Sequence, residues 1–120
     1  MPKMTDPTAN AERTYQISVV SSKFHIDGAL PDANTIKLEE GKTYKFDQSD
    51  STNDTHTLAF STTSNGTHGG GAEYTSGVTY VGTPGQKGAY TQIKVRSGVA
   101  KLYFYCKAHS GMGNEAETYD

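Results

Sequence analysis

The sequence predicts an all-β domain, a Greek-key β-sandwich or barrel of about seven to eight strands. Three observations carry this. Apolar and polar residues alternate in short runs, the period of half-buried strands. Turn residues, thirteen glycines among them, punctuate the runs at regular spacing. The aromatic residues are eight Tyr and four Phe with no Trp, types that suit a pleated, half-buried surface. No stretch of more than about ten residues sustains helical spacing, and no repeat of roughly 20–50 residues marks a solenoid.

Taken in order, residues 1–13 are polar, contain Pro2 and Pro7, and read as a flexible lead-in. Residues 14–120 form the single domain, a size that suits one core. Tyr15, Ile17 and Val19 share one strand face. Phe24 and Ile26 follow in "KFHIDG", which turns at Asp27-Gly28. Ile36 pairs with Leu38 and Tyr44 with Phe46, with a turn at Gly41 between. Leu58 pairs with Phe60 in "HTLAFSTT". The loop "STTSNGTHGGGAEYTSG" is long and expected to be irregular. Val78 and Tyr80 then share a face, and Tyr90, Ile93 and Val95 follow with a bulge between. Leu102 and Phe104 mark the last long strand. The tail "NEAETYD" is acidic and weakly patterned, so a closing strand there is expected to be short or missing. The strands are expected to pair antiparallel.

Charge excludes one class of function. Eleven basic and thirteen acidic residues leave a net charge of -2, and no Lys/Arg run forms a nucleic-acid surface. No apolar stretch approaches the roughly 20 residues of a membrane span. The opening "MPKMTDPTANAERTYQ" lacks the apolar h-region of a signal peptide, and the compartment is left open. One cysteine makes no internal disulfide.

That cysteine stands in "YFYCKAHSGMG", with a histidine three residues on and a methionine three further. A lone Cys is ordinarily a small buried hydrophobe. Strand alternation adds a direction. Leu102, Phe104 and Cys106 lie on one face of "KLYFYC", and His56, Leu58 and Phe60 on one face of "HTLAF". Cys106 therefore ends one strand, and His56 begins another, at the rim of the core. His109 and Met112 sit on a short loop able to fold over that point. One thiolate, two imidazoles and a thioether suit copper cycling between Cu(I) and Cu(II). Zinc accepts Cys and His, but a thioether is a poor zinc ligand.

"HTLAFST" followed about 50 residues later by "YFYCKAHSGMG" resembles the cupredoxins, the type 1 blue-copper proteins. The short ligand loop is similar to that of amicyanin- and plastocyanin-like members. The wider pattern from about Tyr15 to Gly113 resembles cupredoxin-like domains of marine viruses, cyanophages among them. The resemblance implies a single type 1 copper ion held by His56, Cys106, His109 and Met112. It implies a one-electron carrier, monomeric and not an enzyme, which docks a redox partner protein near His109. In the family an apolar patch surrounds this exposed His; Ala108, Gly111, Met112 and Gly113 stand in its place, with Lys107 at the edge. One departure is Thr57, where many members carry an Asn whose side chain ties the ligand loops together. A second is Asn114, where some members place a Met.

Other features weigh less. His25 alternates with Phe24 and Ile26 and faces outward. His68 and Glu73, on the Gly-rich loop, are alternative axial ligands; their bland reading is a solvated loop. "GGG" is not a phosphate loop, since no Lys-Ser/Thr follows. Asn53-Asp54-Thr55 and Asn65-Gly66-Thr67 match the glycosylation triplet by chance. Met112 has a bland reading too, a methionine capping the end of the core. The alternative function is a virion-associated or assembly module in which copper is structural or vestigial.

Overall fold

Nine strands build two facing sheets in a computed structural model that describes residues 13–99 and 101–120. They are β1 (Arg13–Val20), β2 (Lys23–Ile26), β3 (Ile36–Glu39), β4 (Thr43–Asp47), β5 (Leu58–Ser61), β6 (Val78–Val81), β7 (Tyr90–Lys94), β8 (Leu102–Cys106) and β9 (Asn114–Tyr119). Short 3-10 turns occupy Ser51–Asn53 and Gly66–Gly69. One sheet has the order β2-β1-β4-β7-β6, the other β3-β9-β8-β5. The connections β2–β3, β3–β4, β4–β5, β5–β6 and β7–β8 cross between the sheets. The chain is thus an all-β sandwich. The expected lead-in lies outside the described residues, except that Arg13 already stands in β1.

The alternating residues fill the space between the sheets. Tyr15, Ile17, Phe24, Ile26, Ile36, Leu38, Tyr44, Phe46, Leu58, Phe60, Leu102 and Phe104 are all buried. Phe46 stacks on Tyr15 at 5.1 Å and meets Phe60 edge-on at 5.3 Å, which joins the two sheets through rings. Each such fully buried Phe contributes roughly 1.5–3 kcal/mol of transfer free energy.

Four expectations are corrected. The pairing is mixed: β1–β4 and β3–β9 run parallel. The tail forms a full strand, β9, between β3 and β8. Only Ala116 of β9 is buried; its acids point outward, with Glu115 bonded to Lys101 at 2.8 Å and Glu117 to Lys37. In β7 the inward series is Thr91, Ile93 and then Val95 beyond its end, with no bulge, so Tyr90 points out. Thr91 fits inside because its hydroxyl donates to the Leu58 carbonyl at 2.8 Å. Tyr80 is exposed on β6, an edge strand, while Val78 packs partly against the core.

Candidate metal centre

Register brings the thiol and the first imidazole together. Leu58 of β5 pairs with Cys106 of β8. His56 lies two residues before Leu58 and reaches the same end of the sandwich. Its Nδ1 is 3.6 Å from the Cys106 Sγ, and the Nδ1 of His109 is 3.5 Å from the same sulfur. The two imidazole rings are 4.6 Å apart at 48°. Cys106 is fully buried, His56 half-buried and His109 exposed. Among the described residues these three form the group able to share one ion, with ligand atoms all within 4.8 Å of one another.

The spacing fits a metal. Bonds of about 2.3 Å to sulfur and 2.0–2.1 Å to nitrogen, opened by about 110–120°, span an S···N distance of roughly 3.6 Å. Without metal, weak S–H···N and N–H···S contacts hold the same three groups together. Partial burial lowers the pKa of His56 from 6.5, His109 beside it lowers it further, and Asp54 acts in the opposite sense. A neutral imidazole is the ligating form.

Met112 is buried, at 2% exposure, in the same core cluster as Cys106, so it turns inward from the loop. The apolar patch expected around His109 therefore lacks Met112 and keeps exposed Ala108, Gly111 and Gly113. The loop is tied to β2 at its far end. The Phe24 N–H donates to the Met112 carbonyl at 3.1 Å, and the Lys23 ammonium donates to the Gly111 carbonyl at 2.5 Å. At its near end the Lys107 N–H donates to the Thr57 carbonyl at 3.0 Å.

Sequence reasoning missed the residues that hold His56. Gln48 is buried, and its amide donates to the His56 carbonyl at 2.6 Å and to Asn53 Oδ1 at 3.0 Å. Its Oε1 accepts from the Leu58 N–H at 3.0 Å. Gln48 thus brackets His56 on both sides along the chain. Asn53, fully buried, donates in turn to the Ile17 carbonyl at 2.8 Å, which leaves its side chain no access for a glycan. Just before His56, Thr55 sits at φ 68, a conformation that β-branched residues avoid. Single Gln and Asn residues are too common in a sequence to mark these contacts.

The alternative axial residues are engaged elsewhere. Glu73 accepts from the Tyr80 hydroxyl at 2.5 Å and lies 3.3 Å from the Lys107 ammonium. Lys107 also covers the Tyr80 ring at 4.0 Å. Burial, then Glu73, push the Tyr80 pKa upward. His68 Nε2 lies 2.8 Å from the Cys106 carbonyl oxygen, against the backbone of the site rather than the sulfur. His25 is half-buried on the outer side of β2.

Comparisons of the chain with family models, curated proteins and solved structures return no match. No helix among the described residues is long and apolar enough to cross a membrane.

Proposed function

We propose that this protein is a mononuclear type 1 copper protein that carries one electron. The observation that carries the reading is the convergence of two imidazole Nδ1 atoms, at 3.5 and 3.6 Å, on one fully buried thiol at the end of a rigid sandwich. Copper bound there supplies a one-electron Cu(II)/Cu(I) couple. His56, Cys106 and His109 are the equatorial donors in this reading, and Met112 the weak axial one. The soft thiolate and thioether favour Cu(I), and the imidazoles also suit Cu(II). Gln48 and the β5–β8 register fix His56 and Cys106, so the donors need little rearrangement between oxidation states. His109 is the exposed donor and marks the face where a redox partner protein docks, with the protein itself a monomer. Four donors leave no open position for a substrate, so no catalytic residue is assigned.

Under this reading the chain belongs with the cupredoxin-like proteins its motif resembles, marine-virus domains among them. Of the features that favour the alternative, an assembly module in which copper is structural or vestigial, one is a weak closing strand. The six-residue β9 removes that support. The test is Cu(II) addition to purified protein: an intense visible thiolate-to-copper band that bleaches and returns on reduction and reoxidation is expected. His109→Ala should keep binding but admit exogenous imidazole. Absence of the band in the unmodified protein overturns the reading.

A further inference from the structure

The Gly-rich segment after β5 is ordered against the loop that carries His109. Asn65 stands at φ 63, a left-handed conformation that Asn accepts more readily than most residues. There its side chain forks: Nδ2 donates to the Ser110 hydroxyl at 2.8 Å, and Oδ1 accepts from the Gly111 N–H at 2.9 Å. The next residue, Gly66, lies flush on Tyr105, since a Cβ there would stand 2.5 Å from the ring. Two residues on, His68 reaches the Cys106 carbonyl at 2.8 Å. One short turn therefore grips the loop at Cys106, Ser110 and Gly111. Lys23 donates to the Gly111 carbonyl, so the two peptide units that flank Gly111 are both held, one at its N–H and the next at its C=O.

We propose that Asn65 is a positioning residue that presets the His109–Met112 loop before any metal arrives. The proposal rests on the reading of that loop as ligand-bearing. It also accounts for Thr57, which lacks an amide to tie the loops: the tie comes from a different segment of the chain. Without it Ser110 loses its side-chain partner, and Gly111 keeps only the Lys23 contact at its carbonyl.

Asn65→Gly is the decisive variant, because Gly keeps the left-handed turn and removes both hydrogen bonds. Asn65→Asp is the rescue, since a carboxylate accepts from both the Gly111 N–H and the Ser110 hydroxyl. In the metal-free protein, amide exchange at Gly111 is expected to speed up about tenfold in Asn65→Gly, with Ile93 and Phe104 unchanged. In the copper-loaded protein, release of copper to a chelator should accelerate by a similar factor. Asn65→Asp should return both within about twofold of the original. Unchanged exchange at Gly111, equal acceleration at Gly111 and the core amides, or failure of the Asp rescue each overturns the proposal. An original protein that takes up no copper refutes the function proposed above, and the metal-free exchange then still decides the role of Asn65.

Discussion

Replacing Gln48 by Leu keeps the side-chain volume close and strips out its amide. Three partners lose their bonds: the Leu58 N–H, Asn53 Oδ1 and the His56 carbonyl. Leu58 and Asn53 are fully buried, so water cannot replace the lost partner. An orphaned buried polar group costs roughly 1–3 kcal/mol. Two give about 2–6 kcal/mol, and the added apolar burial offsets about 1 kcal/mol. The expected loss is therefore about 3 kcal/mol, a large part of the roughly 5–15 kcal/mol that holds a domain folded. Urea unfolding of the metal-free protein measures it directly. Because Gln48 also brackets His56, the copper band of the folded variant should shift in position. A loss below about 1 kcal/mol would refute the reasoning, since the orphaned groups would then have found other partners.

Other outcomes follow from the same geometry. Cys106→Ser should abolish the visible copper band while the sandwich stays folded, as far-ultraviolet circular dichroism would report; a retained band would mean that another group supplies the colour. Thr55→Gly relieves a left-handed β-branched residue and should raise stability by about 0.5–1 kcal/mol, after the flexibility cost of Gly, in thermal unfolding; a lower melting temperature would show that Thr55 is not strained. The metal-free protein should lose stability as pH falls below 6.5. His56 has a folded pKa below that value, so the unfolded chain binds the extra proton through the window from 6.5 down to the folded pKa. Stability is fully present above 6.5 and declines across that window, and His56→Gln should flatten the slope in a pH series of urea titrations.

Much of the sandwich was readable because burial imposes a strict period of two. Tyr15/Ile17, Phe24/Ile26, Ile36/Leu38 and Tyr44/Phe46 all face inward as their alternation requires. The failures have physical causes. β9 buries only Ala116, too small a signal to stand out among Glu115, Glu117 and Thr118. Thr91 hides the period of β7 because its hydroxyl is satisfied internally. Parallel and antiparallel neighbours share one alternation, so β1–β4 and β3–β9 carry no sequence mark. At the site, alternation aimed His56 and Cys106 at one point, and the loop spacing supplied His109. Asn65 and His68 act through contacts between segments distant in sequence, and Gln48 through a local turn closed by its side chain; neither a period nor a spacing encodes those. The long segment after β5 has only a short 3-10 turn and a single bridge from Tyr74 to Phe60 as regular structure.

The central claim is that His56, Cys106 and His109 hold one redox-active copper. The optical and electron paramagnetic resonance spectra of the protein loaded with one equivalent of Cu(II) test it most directly. The account predicts an intense visible thiolate band with a compressed copper hyperfine splitting, both lost in Cys106→Ser. A weak band with the wide splitting of ordinary surface-bound Cu(II), unchanged in Cys106→Ser, would contradict it.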